Sequence, residues 1–239
     1  METIRVALIG NPNVGKSVIF NNLTGMRQHV GNWPGKTVEK KIGSCTPAGT
    51  DGKPLCQLEI TDLPGTYSFT AQAVDELIAR RFIVEEKPDV VVDIVDATNL
   101  ERNLYLTMLL IELGSNVVVV LNMWDLAQKR GIEIDVESLS EGLGVPVVPT
   151  IATTKVGMDK LIQAIIAANQ KGSHSNQITY SKDLENKISR IIQVIQKDAN
   201  LVAQYRPRWL AIKLLESDTE ILKAISSSPQ ATEIMEVVK

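Results

Sequence analysis

Cysteine and histidine are nearly missing from this sequence, with two of each in 239 residues. Cys45 and Cys56 flank a predicted hairpin. A disulfide between them is left open, but the start of the chain shows no signal peptide, so the expectation is two reduced thiols in a cytoplasmic protein. His29 and His174 lie too far apart to seed a Cys/His metal cluster, and each reads as a surface residue. Long apolar runs are missing as well. The longest, Val90–Val95 and Val117–Leu121, are strand-length and fall short of the ~18 residues a membrane helix needs. The chain as given therefore spans no bilayer, though it is compatible with being the soluble part of a protein that does. No long basic run occurs and the net charge is −3. Since phosphate neutralisation by Lys and Arg supplies most non-specific nucleic-acid affinity, a nucleic-acid partner is not expected.

Aromatics make up only 4% of the residues, against 44% hydrophobic overall. The apolar weight is thus carried by Ile, Val and Leu, the composition of a parallel sheet buried on both faces. Short apolar runs alternate with helical patterns as far as residue 170. Arg5–Ile9 precedes a Gly-rich turn and a helix over Lys16–Leu23. His29–Lys36 reads as a mobile loop. Val38–Cys45 and Leu55–Thr61 read as strands joined by a turn at Asp51-Gly52. A helix is predicted over Ala71–Glu86, then strand Val90–Val95, helix Leu100–Leu113, strands Val117–Leu121 and Val145–Pro149, and helix Met158–Ala168. This alternation predicts an α/β fold with a doubly wound, mostly parallel sheet over residues 1–170. Residues 171–179 read as a linker. From 180 to 239 only helical periodicity remains, with Leu184, Ile188, Ile191 and Ile195 on one face and Trp209, Ile212 and Leu215–Leu222 continuing the signal, so a small all-helical domain is expected.

The chemistry concentrates in Gly10-Asn11-Pro12-Asn13-Val14-Gly15-Lys16-Ser17, which matches a P-loop placed between a strand and a helix. Glycines at that spacing let consecutive N–H groups turn inward around phosphate oxygens at a helix N-terminus. Lys16 is then placed for the β- and γ-phosphates and the Ser17 hydroxyl for Mg²⁺, with Val18 beside it in the first helical turn. Asp62-Leu63-Pro64-Gly65 offers a carboxylate for the Mg²⁺ shell and the Gly65 amide for the γ-phosphate. Asn122-Met123-Trp124-Asp125 follows a buried strand. The Asp125 carboxylate accepts from guanine N1–H and the exocyclic amine, whereas adenine would leave it unpaired at about 1–3 kcal/mol or more. A helix cap is the plain alternative for Asp125. Ile151-Ala152-Thr153 is placed to supply a backbone N–H to guanine O6. Thr37, between the first helix and the second strand, fits a residue that ligates Mg²⁺ when the γ-phosphate is present. The order of these segments is that of a P-loop GTPase, with GTP as substrate and GDP as product.

The sequence resembles the N-terminal cytoplasmic region of the FeoB ferrous-iron transport family. The resemblance rests on Gly10–Ser17, on Val30-Gly31-Asn32-Trp33-Pro34-Gly35-Lys36-Thr37-Val38-Glu39-Lys40, on Asp62–Ser68, on Asp96-Ala97-Thr98-Asn99-Leu100-Glu101-Arg102-Asn103-Leu104-Tyr105, and on Arg208-Trp209-Leu210 through Leu215-Glu216. It implies a helical part that favours GDP retention, and a membrane transport domain as partner on the cytoplasmic face of the inner membrane. It also implies a K⁺ ligand at Asn13, completed by carbonyls of Gly31–Trp33. An Asx contact after Pro12 is the plain reading of Asn13. A homo-oligomer is left open. Met123 departs from the usual lysine of the guanine motif, which argues against tight nucleotide affinity, and Thr66 from the usual water-positioning glutamine, so slow hydrolysis is expected. Two other readings remain at this point: a soluble potassium-activated GTPase of tRNA modification or ribosome assembly, and a metal-binding sensor, which lacks a ligand cluster.

Overall fold

The computed structural model describes residues 2–25, 28–33, 38–49, 52–69, 73–172 and 178–238. Its contacts divide it into two units, Met1–Ile111 with Ser115–Asn176, and Gln177–Lys239 with Glu112–Gly114. The first is an α/β layer structure built on a seven-stranded sheet of order β2-β3-β4-β1-β5-β6-β7. Strands β1 (Thr3–Gly10), β4 (Gln57–Asp62), β5 (Val90–Asp96), β6 (Val117–Asn122) and β7 (Val147–Pro149) run parallel. Strands β2 (Gln28–Asn32) and β3 (Glu39–Cys45) add an antiparallel edge.

Valine and isoleucine dominate β5 and β6 because helices cover both faces and no side is left for solvent. Val90, Val92, Val118, Val119 and Val120 are all fully buried. The register has a functional consequence. Leu8 pairs with Asp62, Gly10 with Ile94, Asp96 with Asn122, and Leu121 with Pro149. Five strands therefore end at one edge, and the loops that follow them share it, as in other open α/β sheets.

The segment expected to be a loop, His29–Lys36, is in part a strand. Gln28–Asn32 pairs with β3, His29 opposite Ile42 and Asn32 opposite Glu39. The ladder supplies what the sequence does not advertise, since β2 is polar, mostly exposed and interrupted by Gly31. Residues 34–37, including Thr37, lie outside the described residues, as do Asp51 of the predicted turn and His174. Gly52 of that turn is left-handed (φ 75°). The helix expected over Ala71–Glu86 is an α-helix, α2 (Val74–Arg81), that widens into a π-helical turn at Phe82–Glu86. Cys45 and Cys56 are not joined by a disulfide. The remaining helices of the unit are α1 (Lys16–Thr24), α3 (Leu100–Glu112), α4 (Trp124–Lys129), α5 (Val136–Leu143) and α6 (Met158–Lys171). Two of these, α4 and α5, are too short to show a helical period in the sequence.

The second unit holds α7 (Lys182–Ile195), α8 (Ala199–Gln204), α9 (Pro207–Leu215), α10 (Thr219–Ile225) and α11 (Ala231–Val238). Ile188, Ile191 and Ile195 are buried as their spacing predicts, around Trp209 at 1% exposure. The helical signal expected to continue through Leu215–Leu222 is broken, because Ser217 turns left-handed (φ 58°) and Asp218 caps α10 by accepting from the N–H groups of Glu220 and Ile221. Arg208 grips Glu185 with two 2.7 Å hydrogen bonds, and that grip, with the Tyr180 N–H, pulls the Glu185 carboxyl down to about 2. Among the described residues no helix is long and apolar enough to cross a membrane.

One carboxyl sits in the middle of the sheet. Asp93 of β5 is 1% exposed; its Oδ2 is 2.6 Å from Thr107 Oγ1, and its Oδ1 has no partner. Burial raises it to about 7, against the opposing pull of Thr107. Above the unfolded Asp value the unfolded chain loses this proton while the fold keeps it. Stability from this group therefore falls between about pH 4 and pH 7, by up to about 1.4 kcal/mol per pH unit, and is level above. Asp93→Asn should remove that slope. Urea unfolding of both proteins across pH 4.5–8 checks it, and a stability difference independent of pH would contradict the assignment.

Candidate functional site

The turn after β1 has no room for side chains where it folds back. Gly15 is left-handed (φ 87°), and a Cβ there would stand 2.4 Å from Asn122 Nδ2. The helix that follows, α1, has no side-chain cap and no acidic residue in its first turn. Its leading N–H groups and positive dipole end thus face the turn without a negative side chain of their own. Asn13 is also left-handed (φ 67°) and exposed. Asn11 is buried at 4% exposure and its Oδ1 has no partner. Pro12, Ser17 and Val18 are exposed, while Val14 is buried.

Lys16 bridges to Asp62 at the end of β4, a nearly buried ion pair. The segment after Asp62 lies directly on the turn. Leu63 N–H donates to Leu8 O (2.9 Å) and Thr66 N–H to Gly10 O (3.1 Å). Gly65 stands so close to Pro12 that a Cβ would come 3.3 Å from the Pro12 Cα. Thr66, the residue in place of glutamine, is 2% exposed and its hydroxyl donates to Ser68 O (2.8 Å). That hydroxyl faces inward and is occupied. The Ser68 hydroxyl in turn donates to Glu76 of α2 (2.7 Å).

Asn122 closes the site from the other side. Its Nδ2 donates to Val14 O at 2.8 Å, and its Oδ1 accepts from Thr150 Oγ1 (3.2 Å) and Ala152 N–H (3.1 Å). Met123 is left-handed (φ 59°) and starts α4, so Asp125 falls in that helix's first turn, with Lys129 Nζ 3.3 Å from its Oδ2. The side chain is one-third exposed, so this pair is weak. Ile151 N–H donates to Val156 O (3.0 Å), so the N–H groups of both Ile151 and Ala152 are bonded within the protein. Thr153 is exposed.

The structure thus brings Gly10–Val18, Asp62, Gly65, Asn122–Asp125 and Ile151–Thr153 to one edge of the sheet. Sequence reasoning missed Thr150, which holds Asn122 and is 1% exposed. It also left Asp96–Tyr105 without a physical role. Asp96 Oδ1 accepts from the N–H and the hydroxyl of Thr98 (2.8 Å each), and Asn103 Nδ2 donates to Asn99 O (2.8 Å). These residues fasten the turn from β5 into α3, and the D-x-T step at a strand end was the signal.

A family model described as ferrous iron transport protein B matches residues 4–165, and one described as the FeoB cytosolic helical domain matches 180–239. The Fe(2+) transporter FeoB of Methanocaldococcus jannaschii is 48% identical over 238 residues, all of this chain and 34% of that protein. The chain spans 27–34% of the length of such curated relatives. The crystal structure of an S. thermophilus NFeoB mutant bound to GDP superposes with a TM-score of 0.83 at 39% identity, covering 98% of this chain and 88% of that one. The cytosolic domain of the T. maritima FeoB iron transporter in apo form gives 0.85 at 33% identity, covering 99% and 93%.

Asn122→Ala would leave Val14 O, Thr150 Oγ1 and Ala152 N–H without their partner, each worth ~1–3 kcal/mol when buried. We expect a total loss of about 2–4 kcal/mol in urea unfolding, allowing for relaxation. Asn122→Asp, which keeps the acceptor but sets a buried carboxylate oxygen against Val14 O, should lose at least as much at neutral pH. A loss in Asn122→Ala no larger than that of an ordinary surface substitution would show that the three groups find other partners.

Proposed function

The chain belongs to the FeoB family of ferrous-iron transport proteins, and from that premise and the site's geometry we propose that it binds GTP and hydrolyses it slowly, as the module that regulates or drives iron uptake through the membrane domain of its longer relatives. The observation that carries the nucleotide reading is the Asn122 carboxamide, which holds the turn at Val14 and the segment at Ala152 in one hydrogen-bonded unit. A phosphate-side loop and a base-side loop are thereby set at a fixed separation. The two family matches favour this reading over the soluble tRNA-modification or ribosome-assembly GTPase.

Gly10–Val18 would wrap the phosphates. Lys16, held on Asp62 in this structure, would transfer its ammonium to the β- and γ-phosphate oxygens, and Asp62 would turn to the Mg²⁺ shell with the Ser17 hydroxyl and Thr37. Hydroxyl and carboxylate oxygens are hard ligands that suit Mg²⁺. When bound, Mg²⁺ neutralises phosphate charge. The Gly65 N–H, beside Pro12, would donate to a γ-phosphate oxygen. Asp125 reads the base, and Met123 covers it with a thioether that lacks the ammonium of the usual lysine. No glutamine orients water after Gly65, and the Thr66 hydroxyl is already bonded to Ser68 O, so slow turnover follows. The residues also fit an alkali cation. Asn13 offers an exposed amide oxygen beside the phosphate turn, and the buried Asn11 Oδ1 adds a hard oxygen without a partner in the same turn. The helical unit, by the family reading, restrains GDP release.

Base specificity is tested at Asp125. Asp125→Asn should lower GTP affinity by about tenfold or more, the scale of a buried unmatched donor pair, and move preference toward xanthosine triphosphate. Titration calorimetry with GTP, ATP and XTP decides it, and equal binding of ATP and GTP by the unmutated protein would overturn the assignment.

The cation is tested by rate. Hydrolysis in K⁺ should exceed that in Na⁺ at equal concentration, and Asn13→Ala should abolish the difference while GDP still binds. Equal phosphate release in both salts by the unmutated protein would remove Asn13 from catalysis.

A further inference from the structure

The N–H and the carbonyl of Ala152 are held by two carboxamides from different elements. Asn122 of β6 accepts from the N–H (3.1 Å), and Asn22 of α1 donates from its Nδ2 to the oxygen (2.7 Å). Asn22 is half-buried and lies in the second turn of the helix that begins at Lys16 and Ser17. Its bond spans 130 residues of sequence, from the helix behind the phosphate-side turn to the stretch Ile151–Thr153 assigned to the base.

The stretch it reaches is tightly folded. Ile151 and Val156 pair across it, Thr154 N–H donates to Ile151 O (3.1 Å), and Lys155 turns left-handed (φ 61°). Gly157 behind it leaves no room for a side chain, since a Cβ there would stand 2.3 Å from Pro149 O. Ala152 itself is 5% exposed. The N–H groups of Ile151 and Ala152 are bonded within the protein, whereas the Thr153 N–H forms no hydrogen bond among the described residues. That N–H belongs to the same peptide as the Ala152 carbonyl. A peptide is planar and trans, so its C=O and N–H point opposite ways. Holding the oxygen on Asn22 therefore fixes the direction of the Thr153 N–H. It also strengthens that donor, because hydrogen bonds in a chain polarise one another.

We propose that Asn22 is a positioning residue for base recognition: through the Ala152 carbonyl it aims the Thr153 N–H at guanine O6. This rests on the guanine-nucleotide reading above. Asp125 accepts from N1–H and the exocyclic amine of guanine, and the acceptor left on that edge, O6, calls for a donor. Adenine carries an amine at the same position, so the Thr153 N–H would meet a second donor and both would go unpaired. The device acts on the base and not on the phosphates, so GDP and GTP should respond to its loss alike.

The full chain tests this by competition against mant-GDP with GDP, 6-thio-GDP and a non-hydrolysable GTP analogue in Mg²⁺. In 6-thio-GDP a sulfur, a weak acceptor, replaces O6, while N1–H and the amine remain. The unmutated protein should prefer GDP. Asn22→Leu keeps the bulk of the side chain and loses its donor. It should weaken GDP and the GTP analogue by about threefold or more, the scale of one net hydrogen bond, and 6-thio-GDP by less than about twofold. Asn22→Gln restores an amide on a longer arm and should recover part of the preference for oxygen. A merely structural role would lower all three nucleotides together. If Asn22→Leu does not fold, Asn22→Ala is read by the same ratio. Equal losses for GDP and 6-thio-GDP, or no loss for either, overturn the proposal, as does equal binding of the two by the unmutated protein; the guanine-nucleotide reading then still stands on Asp125. Failure of the unmutated protein to bind any guanine nucleotide overturns both.

Discussion

A single buried carboxamide fixes the geometry on which the candidate site depends. Asn122 is 3% exposed and reaches across 108 residues of sequence to Val14 while its oxygen gathers Thr150 and Ala152. Its three partners are buried polar groups that would each be costly alone, so the amide and its neighbours are satisfied only together. Gly15 is required by the same contact, since any Cβ there would collide with the amide nitrogen. The parallel register of β1, β5 and β6 delivers both ends of the link to one edge of the sheet.

Charge inside this apolar unit is placed with the same economy. Lys16 and Asp62 neutralise each other where both are nearly buried, so neither is left as an isolated ion in a low dielectric. On the proposed reading nucleotide binding exchanges partners, the ammonium of Lys16 passing to the phosphates and the Asp62 carboxylate to Mg²⁺, so each incoming charge meets an opposite one. Asp93 follows the other route, holding its proton well above the usual carboxylate range, up to about pH 7, because burial has only one hydrogen bond to oppose it. Thr66, which follows Gly65, is likewise satisfied locally: its hydroxyl donates to the backbone carbonyl of Ser68.

The sequence determined the fold class and the glycine-and-lysine turn after β1, because both rest on local rules. Parallel strands buried on both faces must be continuous Val and Ile runs, and a phosphate loop needs glycines and a lysine at fixed spacing. The helical period of α7 was likewise readable from Ile188, Ile191 and Ile195. Where the determinants are long-range, local patterns gave no sign. Strand β2 is polar and is held by a ladder to β3. The π-turn at Phe82 keeps helical composition. Thr150 acquires its role only from the amide of Asn122. The register that brings Val14, Asp62 and Asn122 together, and the bond from Asn22 to Ala152, were decided by tertiary structure alone. Those contacts join residues dozens of positions apart, and no local spacing rule connects them.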